Sequence, residues 1–231
     1  MQSQDILCSA ILAEDVQKGL RFAVATTAGH RPLTGDHLEA VQAYLNRVRE
    51  LVLAKCAEAA TVRFLRAHGV NYLPANVEAS PELMALRIKK EVVLIRPYHF
   101  ADEQVQAADI LRAYALLWNG HEHDEWRLRH QVDRLIFAYT SGRLWITLQQ
   151  DLSTLLKPSP SLQPDHIHLS TEALQVFLAA APSVQECEQS FRQLPAGKRC
   201  LPFQNGLPYP AMGCPVRRLT AFRRVVEWGG V

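Results

Sequence analysis

The chain has 231 residues, of which 48% are hydrophobic, 21% charged and 8% aromatic. These fractions match soluble globular proteins and exclude collagen-like, low-complexity and wholly disordered chains. The formal net charge of +2 indicates no particular partner. The length suffices for one large domain or two small ones, with a core that needs neither metal nor disulfide.

The start of the chain does not have the pattern of a secretory signal. Its apolar run, 6–13, follows Asp5 and precedes Glu14 and Asp15, without the positive charge that a signal peptide carries first. The apolar runs stay below the roughly 20 residues of a membrane-spanning helix. Five cysteines in a chain that can build its own core indicate reduced thiols. We therefore expect a soluble, cytoplasmic protein without a membrane partner.

The clearest pattern predicts a helix over 36–68. Asp36 and Glu39 have the spacing of a capping box, and Gly69 follows where a helix end favours positive φ. An apolar stripe runs along the helix through Leu38, Val41, Leu45, Val48, Val52, Ala59 and Val62. The stripe favours a core helix, and the alternative is a contact surface for another chain.

The remaining patterns predict more helices than strands. Helices are expected from Ser80, over 102–118, 123–139, 170–181, 183–194 and 216–228, and strands over 20–27, 92–95 (ended by Pro97) and 143–148. We therefore expect a mainly α fold with a small β component (α+β): a helical core, two or three short strands, and a basic C-terminal subdomain rich in proline and glycine.

A proline- and serine-rich stretch, 157–163, is the best candidate boundary in the chain. It divides a helical core with a minor sheet, 1–157, from a second part, 165–231. The second part would hold a helical hairpin and the basic C-terminal segment with its loop over 195–215. The alternative is that both parts pack as one domain.

Charge is distributed unevenly along the chain. Residues 192–231 carry seven basic groups against one acid, Glu227, whereas acids outnumber bases in the rest of the chain. Of the 25 basic residues 19 are arginine, whose planar guanidinium binds phosphate with two hydrogen bonds. A contrast of this kind points to an anionic partner. The alternative is a tail whose arginines dock on the acidic part of the same chain.

The C-terminal part therefore supplies the candidate site. The expected phosphate contacts are Lys198, Arg199, Arg217, Arg218, Arg223 and Arg224, and the aromatic rings expected to stack on bases are Phe203 and Tyr209. We expect a non-catalytic nucleic-acid-binding protein that is a subunit or accessory factor of a larger nucleoprotein complex. RNA and DNA both fit this pattern. We expect protein partners, and we expect no cofactor or metal.

Two other functions stay open. In the first, the helix over 36–68 makes the protein an adaptor between other proteins. In the second, the protein is an enzyme: a metal-dependent hydrolase using His121 and His123, or a metal-free nuclease around His99. His121 and His123 resemble the start of the HxHxDH signature of metallo-hydrolases but lack its final histidine.

Metal binding by other residues is a further alternative. His166 and His168 form a second His-x-His pair before a predicted helix. Cys187, Cys200 and Cys214 lack the close pairing of structural zinc ligands, so buried thiols are the favoured interpretation.

Overall fold

The computed structural model describes residues 1–27, 37–75, 84–100, 105–118, 131–149 and 164–229. Helix and strand occur there in nearly equal amounts, so the prediction of a mainly α fold with two or three short strands is wrong. A six-stranded mixed sheet forms the middle layer. Two helices cover one face of it, and a three-stranded sheet covers the other.

Both sheets join strands that are distant in sequence. The large sheet has the order β1 (Leu7–Ala10), β7 (Ile167–Ala180), β6 (Arg134–Leu148), β4 (Glu91–His99), β3 (Met84–Ile88) and β2 (Tyr72–Ala75). The small sheet has the order β5 (Tyr114–Trp118), β9 (Ala211–Pro215) and β8 (Arg192–Leu194). In the described residues β4 and β6 are parallel and the other neighbours are antiparallel.

The helices differ greatly in length. They are α1 (Ala13–Thr27), α2 (His37–Ala67), α3 (Ala107–Ile110), α4 (Val184–Ser190) and α5 (Val225–Gly229), and short 3₁₀ turns cover Ser3–Asp5, Pro164–His166, Val216–Arg218 and Phe222–Arg224. The long helix α2 confirms the prediction over 36–68. Gly69 ends it with a φ of 67°, and Val70 N donates to Leu65 O (2.9 Å). Asp36 lies outside the described residues.

Side chains alternate between two cores along the central strands. On β4, Val93 and Ile95 pack against α2, whereas Leu94 and Tyr98 point to the small sheet. The same alternation divides β6, because neighbouring side chains of a strand point to opposite faces. A third cluster joins α1 and α2 to the far ends of β6 and β7.

This covering of both faces explains why two of the predicted helices are wrong. Residues 134–139 lie in β6 and residues 170–180 lie in β7. Buried residues follow one another over 135–140 and 176–180, so these runs have no polar face. A continuous apolar run does not distinguish a buried strand from a buried helix. The alanines of β7 favour a helix locally, but pairing with β1 and β6 overrides that preference.

The predicted strand over 20–27 is wrong for a different reason. These residues form the second half of α1, whose buried positions Val16, Leu20, Ala23, Val24 and Thr27 have helical spacing. The period becomes clear only when the window starts at Ala13.

The predicted helix over 102–118 is also wrong. Helix α3 is a single turn, and β5 follows it. Pro97 does not end the preceding strand either. Successive backbone nitrogens of a strand point to opposite neighbours. Phe100 N donates to Thr140 O of β6, so the Pro97 nitrogen points to the β3 side. The described pairing with β3 ends at Ile95, before Pro97. No ladder hydrogen bond is lost there.

The C-terminal predictions are partly confirmed. Helix α4 begins as predicted, with Ser183 Oγ accepting from Glu186 N (3.1 Å), but it ends at Ser190 and β8 follows. The helix expected over 216–228 consists of two 3₁₀ turns and α5. β7, from the predicted second part, pairs with β1 and β6 of the first. The helix start at Ser80 and the boundary over 157–163 lie outside the described residues.

Candidate nucleic-acid interface

The segment 216–225 alternates buried apolar residues with exposed arginine pairs. The buried residues are Val216, Leu219, Ala221, Phe222 and Val225. The exposed residues are Arg217, Arg218, Arg223 and Arg224. Each pair ends a 3₁₀ turn closed by a backbone hydrogen bond, from Leu219 N to Val216 O (3.0 Å) and from Arg224 N to Ala221 O (3.2 Å). The apolar residues therefore hold the backbone in place while the guanidinium groups face solvent.

Two basic stretches meet at one end of the small sheet. Val216 N donates to Ala113 O and Tyr114 N donates to Leu201 O, each at 2.9 Å. The turn that carries Arg217 and the loop that carries Arg199 are therefore bonded to adjacent residues at the start of β5. The residues we call the basic end are all exposed: Arg112, Lys198, Arg199, Arg217 and Arg218.

Sequence reasoning missed Arg112, and no local pattern marks it. It lies in the stretch that predicts a helix, and its position is set by the pairing of β5 with β9, which are almost 100 residues apart. A search for basic residues within one stretch of sequence does not find such a neighbour.

The two arginines of the second pair, Arg223 and Arg224, differ in their contacts. Arg223 Nη1 donates to Asp5 Oδ1 (3.1 Å) and lies near Gln4 O (3.5 Å). In the part of the chain that the structure describes, Arg217, Arg218 and Arg224 have no carboxylate within ion-pair distance. The docking alternative therefore applies to Arg223, whereas no carboxylate of the described residues compensates the charge of the other three guanidinium groups.

The two aromatic candidates have different surroundings. Phe203 is half-buried, with its ring edge-on to Trp118 (5.3 Å between centroids) and to Tyr98 (6.4 Å). These contacts place it at the margin of the core, where its ring already packs within the chain. Tyr209 is 51% exposed. Of the two rings, Tyr209 is thus the one that a base can reach.

The three C-terminal cysteines lie in one hydrophobic core or at its margin rather than at the surface. Cys187 and Cys214 are buried, and Cys200 is half-buried. Burial raises the pKa of all three thiols, although nearby Arg218 and Arg192 oppose the rise at Cys214. Arg192 itself donates to Gln189 O (2.9 Å) and Phe191 O (2.8 Å). At neutral pH these thiols are protonated and poorly nucleophilic.

The histidine candidates are distributed over the fold. His121 and His123 lie outside the described residues, whereas His168 is exposed on β7 and His166 ends a 3₁₀ turn. His99 is half-buried at the end of β4, and its Nδ1 bonds to Thr140 Oγ1 (3.1 Å). Within the described ranges, no three histidine, cysteine or acidic side chains form a group that could hold a metal ion.

None of the described helices has both the length and the apolar character needed to cross a membrane.

The comparisons with known proteins found no relative of this chain. The chain matches no protein-family model, no curated protein and no solved structure.

Proposed function

We propose that the protein binds nucleic acid without catalysing a reaction on it, and that the basic end contacts the phosphate backbone. The observation that carries this proposal is the segment 216–225, where buried apolar residues fix the backbone and the arginines face outward. Because the backbone that carries these arginines is already fixed, binding to phosphate costs less backbone entropy than it would for a flexible tail.

The charge of the basic end supports a polyanion as the partner. Five cations lie at one end of the small sheet, and none of them forms an ion pair with a described residue. Each phosphate contact releases condensed counterions, so several contacts give measurable affinity without base-specific hydrogen bonds. Exposed Tyr209 adds a ring for stacking on an unpaired base.

The adaptor function has less support. Its contact surface would be the apolar stripe of α2, but Val41, Val48 and Val52 of that stripe are buried within this chain. We further propose that the protein is cytoplasmic and works within a larger nucleoprotein complex. Five free thiols agree with a reducing compartment.

The test is a comparison of two double variants. Arg217→Gln with Arg218→Gln removes two charges from the basic end, and Lys18→Gln with Arg21→Gln removes two exposed charges from α1. Fluorescence anisotropy with a labelled single-stranded RNA and a DNA duplex, over a range of salt concentrations, gives affinity and salt dependence. The first variant should bind more weakly. Its slope of log K against log salt, which is negative, should become less steep by about 1.4 for the single strand.

The control variant defines the contradiction. It has the same net charge as the first variant, so a general charge effect would weaken both equally. Equal losses in the two variants, or unchanged binding in the Arg217/Arg218 variant, would refute the proposal. The preference of the wild type between the two probes tells whether it favours single-stranded RNA or duplex DNA.

A further inference from the structure

Part of the large sheet has an exposed face that the small sheet does not cover. Phe137, Tyr139 and Phe177 point to this side and pack in the core beneath the small sheet. Farther along the same two strands, Leu144 and Ile146 pack against the helices on the other side, and the alternating residues are exposed. The exposed residues, which we call the open face, are Arg143, Trp145, Thr147, His168, Ser170 and Glu172.

The pairing of β6 with β7 brings these side chains together. Trp145 lies opposite Ser170, and one further pair flanks these two on each side. The Cβ atoms of opposite residues in an antiparallel pair are about 5 Å apart. The flanking pairs are Arg143 with Glu172 and Thr147 with His168. The open face is therefore one continuous patch with an aromatic ring at its middle.

A β-bulge turns the polar residues of β7 toward this patch. The register shifts between Ser141 and Arg143, where β7 has one residue more than β6, and Ala173 adopts a φ of 49°. A Cβ at Gly142 would lie 2.4 Å from Ala173 O, so this position needs glycine. The helix-facing positions of β7 are 167 and 169 before the bulge and 174, 176 and 178 after it. Bulges commonly redirect side chains at functional sites, and this one places three polar side chains beside Trp145.

The ring of Trp145 remains accessible. The side chain is 41% exposed. Arg143 Cζ lies 5.8 Å from the ring centroid, whereas the stack of Arg134 on Trp228 has a distance of 3.9 Å. The guanidinium of Arg143 therefore flanks the ring without closing over it. An exposed ring on a sheet surface is a platform on which an unpaired base can stack.

The charges around Trp145 favour contact with a base over contact with phosphate. Arg143 Nη1 and Glu172 Oε2 are 3.9 Å apart, and both side chains are 54% exposed. This pair has no net charge, so it lacks the attraction for phosphate that the basic end has. It contains both a donor and an acceptor group, and the edges of bases likewise carry donors and acceptors.

The open face and the basic end lie on the same side of the large sheet. Tyr139 Oη donates to Tyr114 O (2.8 Å), which places the start of β5, where the basic end lies, over Tyr139. Trp145 lies six residues farther along β6, about 20 Å away at the rise of a strand. A single strand of about six nucleotides is long enough to cover this distance.

We propose that Trp145 stacks on an unpaired base of a single-stranded nucleic acid whose phosphates contact the basic end. Arg143, Ser170 and Glu172 surround the stacked base and can form hydrogen bonds with its edge. This inference rests on the proposed function and adds a preference for single strands. In a duplex the faces of the bases are covered by their neighbours, so the ring has no base to stack on.

The test compares an intact strand with a strand that lacks bases. Fluorescence anisotropy measures the affinity for a labelled single-stranded oligonucleotide and for the same strand with abasic sites. Trp145→Ala should bind the intact strand about tenfold more weakly, with an unchanged salt slope because no phosphate contact is lost. Trp145→Phe keeps an aromatic ring and should lose less. The abasic strand should bind equally to the wild type and to Trp145→Ala.

Leu73→Ala is the matched control. Leu73 is also an exposed apolar side chain, but it lies on β2 at the far edge of the large sheet, so its removal should leave both affinities unchanged. Unchanged binding of the intact strand by Trp145→Ala would overturn the stacking site. Equal losses on the intact and abasic strands would also overturn it, because the effect would then not involve a base.

The Arg217/Arg218 variant separates this inference from the proposed function. If that variant binds more weakly while Trp145→Ala binds like the wild type, the basic end binds nucleic acid and only the stacking site is wrong. If the wild type binds neither strand, both proposals are wrong. Quenching of the tryptophan fluorescence by a neutral oligosaccharide, and by no oligonucleotide, would assign the open face to a glycan and overturn the inference.

Discussion

Arginines of the helical layer and arginines of the C-terminal segment serve different purposes. In the helical layer, Arg63 bonds to Asp15 and to Ala10 O (2.9 Å), so its charge is used inside the fold. In the C-terminal segment, Arg217, Arg218 and Arg224 face solvent, and no carboxylate of the described residues lies within ion-pair distance of them. The number of arginines in a chain therefore indicates little until their counter-charges are located.

The largest effect is expected from breaking the internal pair. Asp15 is 4% exposed, and it also accepts from Leu12 N (3.1 Å) at the start of α1. Asp15→Asn leaves Arg63 without its counter-charge and should lower the free energy of unfolding by about 3 kcal/mol. The partial exposure of Arg63 keeps the loss at the low end of the range for buried pairs.

Urea denaturation measures this loss, and Glu14→Gln is the matched control. Glu14 pairs with Lys18 on the same helix, but both side chains are more than 60% exposed. Its removal should cost less than about 0.5 kcal/mol. If the two variants are equally stable, the distinction between internal and exposed pairs fails for this helix.

A moderate effect is expected at Arg134, which lies between the two classes. It packs over the Trp228 ring (3.9 Å to the centroid) and its Nε donates to Glu91 Oε2 (2.7 Å). Arg134→Met removes both interactions and should cost about 1–2 kcal/mol in urea denaturation. Glu91→Gln keeps the ring contact, so it should cost less; a larger loss in Glu91→Gln would contradict this order.

At Asp5 we expect a smaller effect on stability, together with a gain in affinity for nucleic acid. Asp5→Asn removes the counter-charge of Arg223 while its remaining amide oxygen can still accept a hydrogen bond. Stability should change by less than about 1 kcal/mol, because Arg223 is largely exposed. Affinity for a single-stranded oligonucleotide should rise, with a salt slope steeper by about 0.7. Weaker binding of Asp5→Asn would show that Arg223 does not face the polyanion.

The smallest effect concerns the pH dependence of stability. Burial lowers the pKa of His99 below its value in the unfolded chain, so unfolding takes up a proton. The contribution is present above the unfolded pKa of about 6.5 and is lost as the pH falls through the folded pKa. Denaturation at a series of pH values should show a weaker fall in His99→Gln than in the wild type. Identical profiles would contradict the sign.

Local signals predicted the long helix and the start of α4 correctly. Gly69 ends α2, and Ser183 caps α4, because both positions depend on a few neighbouring backbone groups. The strands over 92–95 and 143–148 were also predicted correctly, and 143–148 shows the alternation of exposed and buried residues that predicted it. The same kind of reasoning failed for the first half of β6 and for β7. Over 135–140 and 176–180 every residue is buried, and a pattern of period two is absent where both faces are covered.

The candidate site was predictable in part. The excess of arginine after residue 192 is visible in the sequence, and the exposure of Arg217 and Arg218 agrees with it. The core contacts of Phe203 and the neighbourhood of Arg112 were not predictable. Both depend on the small sheet, whose strands β5 and β9 come from distant parts of the chain.

The sequence by itself determined where the cations are concentrated and where the helix ends at Gly69 and begins at Ser183, since composition and capping are local properties. Only the tertiary structure decided that 135–140 and 174–180 are strands, because long-range pairing overrides local preference. It also decided that Arg223 meets Asp5 while Arg224 does not. The Arg223–Asp5 contact joins residues more than 200 positions apart, so it depends on the assembled fold and not on local sequence.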